Sequence, residues 1–172
     1  YPASAQSAGT IQNLLAAQRL YIKAKLKTDA DITKYFQDLA AKFAGQPGTK
    51  SKILFTLASF IYESDKAAAL AQMNAAYDPS LRYDPADMDL YGGALLDQGK
   101  TDESIKVYQK LAADFPNPDP SAPGNSPVEV QEAQSISIYG LGKALQKQGD
   151  VAGAAEKFAS LKTLYPWSPK IL

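Results

Sequence analysis

Apolar side chains recur every three or four residues along most of the chain, which is the period of an amphipathic helix. Such stripes run over residues 11–27 and 32–43, and the Gly-Gln-Pro-Gly sequence at 45–48 breaks the second. Shorter stripes follow within residues 51–80 and again after Asp84 and Ser126. No pair of alternating segments predicts a strand hairpin. The pattern therefore predicts an all-α fold.

Capping residues mark where several of these helices begin. Asp84 precedes Pro85, so a side-chain acceptor stands just before the position at which proline is favoured. Ser126 and Glu129 have the spacing of a capping box, in which each side chain accepts from the other's backbone N–H. Further caps are predicted at Ser64 and at Asp29 or Asp31.

The second half of the chain contains one helical pattern twice. The first copy consists of Met88, Tyr91, Gly92, Leu95, Ser104, Tyr108 and Pro116. The second copy has, at the same spacings, Ile138, Leu141, Gly142, Leu145, Ala154, Phe158 and Pro166. A glycine, Gly99 or Gly149, lies between the two helices of each copy. Large apolar residues, glycine, a small residue, an aromatic residue and proline in this order are the tetratricopeptide signature.

Helix pairs of this kind cannot bury their apolar faces alone and must stack. We predict a flexible segment at 1–10 followed by a single helical-repeat domain at 11–172. Within it we place a degenerate helix pair at 11–48, a weak repeat at 51–80 and a repeat at 84–116. A Pro-rich extended loop at 117–125 follows, and then a repeat with an extended first helix at 126–166. The two clear copies are offset by 50 residues, more than the ~34 of a standard repeat.

Composition excludes several kinds of chemistry. The 172 residues contain neither Cys nor His, which rules out disulfides, zinc sites of the usual ligands and nucleophiles activated by His. Basic and acidic residues number 18 each, but residues 61–132 hold five basic and thirteen acidic side chains. Without a basic surface, nucleic-acid binding is not expected, and no segment is apolar enough for a membrane helix. We predict a protein that is not an enzyme and has no cofactor or metal.

From residue 51 to 172 the chain resembles tetratricopeptide-repeat proteins. The endings at residues 111–116 and at Tyr165-Pro166-Trp167-Ser168-Pro169 are similar to those of a subgroup in the bacterial envelope. That subgroup includes outer-membrane assembly lipoproteins and the periplasmic coordinator of the Tol–Pal system. The resemblance implies four antiparallel helix pairs stacked as a right-handed superhelix, or α-solenoid. It also implies a periplasmic or otherwise exported scaffold that binds another protein or peptide, with the cytoplasm as the alternative location.

The resemblance further implies a concave groove formed by the first helix of each repeat. Its predicted protein-binding residues are Tyr62, Asp89, Gly93, Leu96, Asp97, Tyr139, Lys143, Gln146 and Lys147, with Ala58 beside them. In this interpretation the tyrosines anchor the partner and the charges select it. The alternative is that the tyrosines belong to the core and the charged residues only solvate the helices. Asp89 stands where carboxylate-binding relatives carry a basic or amide residue, which argues against a carboxylate clamp.

Three alternatives stay open at this stage. A carbohydrate- or small-ligand-binding envelope protein would need exposed aromatic rings, and Trp167, Tyr83 and Tyr77 are the candidates. The acids at 84, 87 and 89 would be the residues of an enzyme, but acids at helix starts are expected from the helix dipole alone. At the C-terminal edge, either Tyr165, Trp167, Ile171 and Leu172 fold back, or a second copy of the chain covers them as a homo-oligomer.

Overall fold

The computed structural model describes Ile22, residues 24–25 and residues 28–171. Most of the predicted first helix, the flexible segment at 1–10 and Leu172 lie outside the described residues. The described part contains seven α-helices: α1 (Asp29–Lys42), α2 (Pro47–Ile61), α3 (Lys66–Ala76), α4 (Pro85–Asp97), α5 (Thr101–Asp114), α6 (Val128–Gln148) and α7 (Val151–Leu164). Short 3-10 turns occur at Pro123–Asn125 and Pro169–Ile171, and the described part has no strand. The all-α prediction is confirmed.

The chain divides into two compact units, the first ending at Gln72 and the second beginning at Met73. In the first unit α1 packs against α2, and the rings of Phe36 and Phe60 lie 5.4 Å apart between them. Thr28 caps α1 by accepting from the Asp31 backbone N–H at 3.1 Å, so the predicted caps at Asp29 or Asp31 are wrong. A hydroxyl just outside the helix reaches that N–H, whereas both acids already lie in the first turn.

The start of α3 differs from its prediction in the same way. The Asp65 carboxylate, instead of the Ser64 hydroxyl, accepts from the Ala68 backbone N–H at 2.8 Å. Ser64 points its hydroxyl back to the Ile61 carbonyl at 3.0 Å, closing the end of α2. Asp84, by contrast, caps α4 as predicted, with Pro85 in the first helical position.

In the second unit α4 packs on α5 and α6 packs on α7, and the two pairs stack through contacts of α6 with both α4 and α5. Gly99 and Gly149 connect the helices of each pair with φ of 74° and 85°, a left-handed conformation that favours glycine. Ser104 is fully buried, and its hydroxyl donates to the Gly92 carbonyl at 2.8 Å. The two glycines therefore turn the chain between paired helices, and the small Ser104 side chain fits where α5 lies close to α4.

The Tyr108 ring joins the two pairs. Gly92 of its own repeat faces the ring, and so does Gly140 of the next helix pair, each so closely that a Cβ there would overlap the ring atoms. Gly142 faces the ring of Phe158 in the same manner. Gly92, Gly140 and Gly142 are therefore three positions where the absence of a side chain lets an aromatic ring lie against a helix.

Helix α6 is the longest, with 21 residues against 13 in α4. The predicted capping box is not formed: α6 begins after Pro127 without a side-chain cap, and the Ser126 hydroxyl donates to the Asn117 side chain at 2.6 Å. Gln134 anchors the extension by donating to the Phe115 carbonyl at 2.6 Å. The Pro-rich loop bends into its 3-10 turn instead of staying extended, and its Gly124 lies under the Trp167 ring.

Candidate functional site on the first helices of the two repeats

The two first helices, α4 and α6, lie in contact and present one surface. We call it the A face and define it by Asp89 and Gly93 of α4 and Tyr139 and Lys143 of α6. A Cβ added at Gly93 would meet no atom within 4 Å, so this part of α4 is open. The Tyr139 ring is half-buried, 6.0 Å from the Phe158 ring and 5.7 Å from Lys143 Nζ. The ring therefore packs on its own repeat while part of it remains accessible.

The other predicted site residues fall into three groups. Leu96 is buried with 4% exposure and Ala58 is fully buried, so their side chains do not reach a surface, and that part of the prediction is wrong. Both point into the helix packing because small and medium apolar groups fill the gaps between helices. Asp97, Gln146 and Lys147 are exposed at the end of the two helices. Lys147 Nζ donates to the Leu96 carbonyl at 2.7 Å and so ties α6 to α4.

Tyr62 belongs to the first unit, whereas the residues of the A face belong to the second. It follows the last residue of α2, is half-buried, and has Lys66 Nζ 5.3 Å from its ring centroid. That Tyr62 and the A face bind the same partner stays a prediction.

The described C-terminal segment, up to residue 171, folds back onto the A face, and a homo-oligomer through this edge stays a prediction. Lys170 Nζ forms an ion pair with the Asp89 carboxylate and lies 5.7 Å from the Tyr139 ring centroid. Tyr165 is buried, and its ring meets the Trp167 ring edge-on at 6.0 Å. Trp167 itself is 55% exposed. Two predicted site residues, one on each helix, are thus joined by a lysine from the end of the chain.

Beside this ion pair lies a cavity of about 530 Å³, which we call the Trp167 cavity. It is lined by Asp89 of α4, by Val128, Glu132 and Ile136 of the α6 extension, and by residues 167–170. Val128 is 78% exposed, so two large apolar side chains, Val128 and Trp167, stand at its edge in contact with solvent. The volume of the cavity is in the range of pockets that bind small ligands or single side chains. Its lining combines apolar walls with a few charged groups.

A family model described as "Tetratricopeptide repeat" matches residues 88–118 and 137–167. Residues 88–118 and 137–167 are two tetratricopeptide repeats. The two matched repeats correspond to the helix pairs α4–α5 and α6–α7, where the sequence predicts them. Comparisons with curated proteins and with solved structures find no match. Tetratricopeptide repeats are in general non-catalytic scaffolds for protein interaction, and the A face belongs to the first helix of each repeat.

The α6 extension begins at Val128, well before the second matched repeat starts at residue 137. It adds Glu132 and Ile136 to the stripe that continues through Tyr139 and Lys143, with spacings of three or four residues. Extending the helical stripe of the second repeat backwards would have found Glu132 from the sequence. Lys170 could not be found in that way, because its position depends on how the segment after α7 folds.

Glu132 is held in an environment that disfavours its charge. Partial desolvation raises the pKa of the Glu132 carboxyl group, and the nearby carboxylates of Asp84, Glu129 and Asp89 raise it further, while Lys170 opposes them. No described residue forms an ion pair with this carboxylate. The site therefore carries an excess of negative charge beside an apolar cavity.

A pH-dependent stability follows from this raised pKa. The folded state binds the Glu132 proton more tightly than the unfolded chain, so the free energy of unfolding falls as pH rises from the ordinary value of 4.5 through the raised pKa. We expect Glu132→Gln to stabilise the second unit at about pH 7 and to give no gain at about pH 4. Urea unfolding at both pH values, followed by the emission of the single tryptophan, measures this difference. A gain of equal size at both pH values would contradict the electrostatic origin.

The aromatic rings proposed for carbohydrate binding separate into two environments. Tyr83 is buried and stacks on Tyr77 with ring centroids 5.6 Å apart, and Tyr77 also contacts the Tyr91 ring at 5.1 Å. Burial, with the neighbouring Tyr77 as the next cause, raises the pKa of Tyr91 to about 12, and its hydroxyl bonds Asn74 at 2.8 Å. Tyr77 and Tyr83 thus pack in a cluster, and of the three rings Trp167 is the exposed one.

The acids considered for catalysis have structural roles at or near α4. Asp84 caps the helix, and Asp89 pairs with Lys170. No group of three acids with the spacing of a metal site occurs in the described residues. No described helix is both long and apolar enough to span a membrane.

Proposed function

We propose that the protein is a non-catalytic scaffold that binds another protein or peptide through the A face. The observation that carries the proposal is the open strip between the two repeats, where Gly93 leaves space above α4 and the Tyr139 ring borders it on α6. A helix face of this kind without a side chain at its centre allows a partner's backbone to come close. The exposed Trp167 and Val128 at one end of the strip supply apolar contact area, which is the chemistry of interface hot spots.

Blocking the open strip tests the proposal without disturbing the core. In Gly93→Arg the new side chain starts in open space, so the fold is retained, while the long cation covers the strip. We expect this variant to lose capture of the partner from a native extract of the source cells. Gln109→Arg is the matched control, since it places the same side chain at an exposed position of α5, on the second helix of the repeat.

The two variants separate the outcomes. A protein captured by the wild type and by Gln109→Arg but not by Gly93→Arg supports binding at the A face. Capture that is equal in both variants leaves a scaffold that binds elsewhere and refutes this site. Equal circular dichroism spectra of the three proteins serve as the control for folding.

We also propose an exported, periplasmic location, which rests on the resemblance of the repeat endings at 111–116 and 165–169 to bacterial envelope proteins. Cell fractionation of the full-length gene product tests this proposal. Recovery with the cytoplasmic fraction would contradict it.

A further inference from the structure

The end of the chain shows which chemistry the A face accepts. Lys170 comes from a segment outside the repeats and places its ammonium group on the Asp89 carboxylate, with the Tyr139 ring beside it. Both charged side chains are largely shielded, with 28% and 27% exposure. A basic side chain held between a carboxylate and an aromatic ring is thus already bound here, by the protein's own lysine.

The adjoining Trp167 cavity also combines carboxylates with an aromatic ring, and the one lysine in its lining, Lys170, is paired with Asp89. Its second carboxylate, Glu132, belongs to no ion pair among the described residues. Asp84 and Glu129 add negative charge around it, and Arg82 approaches only the Glu129 carboxylate, at 3.8 Å between exposed groups. The negative excess also agrees with the acidic middle of the sequence, where thirteen acids face five basic residues between 61 and 132.

The walls of the cavity fit the stem of a long basic side chain. Val128 and Ile136 from the α6 extension and the Trp167 ring from the C-terminal segment line it. Lysine and arginine bury their methylene stems on apolar surface while the charged end reaches a polar group. An indole ring is also the aromatic surface that attracts a cation most strongly.

We propose that the Trp167 cavity binds a lysine or arginine side chain of the partner, with Glu132 as its ion-pair partner and the Trp167 ring as its wall. The inference rests on the proposed function and names the partner's chemistry: a segment with a basic residue flanked by apolar ones. Placing a cation there also relieves the repulsion among Glu132, Asp84, Asp89 and Glu129, which charge complementarity predicts for an interface.

Selection from a random peptide library displayed on phage tests the inference even while the partner is unidentified. The wild-type protein serves as bait, and the selected peptides are sequenced. We expect Lys or Arg next to apolar residues at a fixed position. A selected peptide is then synthesised with its basic residue and with Gln in its place, and both are titrated while the emission of Trp167, the only tryptophan, is recorded.

The matched variants are Glu132→Gln and Glu156→Gln. Both make the same chemical change at exposed glutamates, one in the cavity and one on α7. We expect Glu132→Gln to weaken binding of the basic peptide about tenfold, and to have no effect on the Gln peptide. Glu156→Gln should bind like the wild type. Thermal unfolding of each variant shows whether the fold is retained.

The outcomes distinguish the two proposals. Peptides that bind but lack a basic residue, or that bind Glu132→Gln as tightly as the wild type, overturn the cavity inference and leave the scaffold function standing. Enrichment of acidic peptides overturns it as well, because Lys143 and Lys170 would then be the contacts. If the library yields no binding peptide, the proposed function itself is contradicted and the cavity inference falls with it.

Discussion

Replacing Gly140 by alanine is expected to destabilise the second unit, although alanine is the better helix former. A methyl group at residue 140 would overlap the Tyr108 ring, which is buried and also in close contact with Gly92. Overpacking of this kind costs up to about 3 kcal/mol, and the helix propensity of alanine returns about 1 kcal/mol. The net loss should be about 2 kcal/mol, and the two helix pairs should separate more easily because Tyr108 joins them.

Gly93→Ala is the matched control for this prediction. It makes the same change on α4, where a Cβ meets no atom within 4 Å, so only the gain in helix propensity of about 1 kcal/mol remains. Urea unfolding followed by Trp167 emission reports on the second unit, since the only tryptophan lies in it. Equal effects of the two substitutions would show that the Tyr108 ring does not fill the space between the repeats.

Replacing Phe115 by alanine is expected to have the largest effect on stability. The ring is 1% exposed at the end of α5, and the Arg82 guanidinium carbon lies 3.9 Å from its centroid. Truncating a fully buried phenylalanine costs about 3–5 kcal/mol, because apolar burial is lost and a cavity is left. The backbone carbonyl of the same residue accepts from Gln134, so the loss also loosens the anchor of the α6 extension.

Phe115→Leu separates packing from other causes. It keeps most of the apolar volume and should cost less than about 1.5 kcal/mol in the same urea measurement. If Phe115→Ala and Phe115→Leu lowered the free energy of unfolding equally, the volume filled by the Phe115 ring would not be the reason that it stabilises the fold.

The repeats were predictable because their signature consists of residues with local, physical roles. The φ of Gly99 and Gly149, the buried hydroxyl of Ser104 and the close approach at Gly92 each follow from a spacing visible in the sequence. Helix starts were less predictable, since several polar residues near each start can accept the same N–H groups. At α1 and α3 the acceptors are Thr28 and Asp65, each close in sequence to a predicted cap.

The candidate site was predictable only in part. Asp89, Gly93, Tyr139 and Lys143 are at the positions implied by the repeat, whereas Leu96 is turned into the packing. The Trp167 cavity needed the structure, because the α6 extension and residues 168–170, which form much of its wall, lie outside the matched repeats. Its lysine, Lys170, is 81 residues from Asp89 in the sequence, and only the fold brings them together.

The most direct test of binding at the A face is amide chemical-shift mapping by NMR on the 18.5-kDa protein, with a peptide selected on the wild type. The account predicts shift changes along one face of α4 and α6, including Gly93 and Lys143, and at residues 167–170. The amides of Gln109 on α5 and Glu156 on α7 should stay unchanged. Changes concentrated on α5 and α7, with Gly93 and Lys143 unaffected, would contradict it.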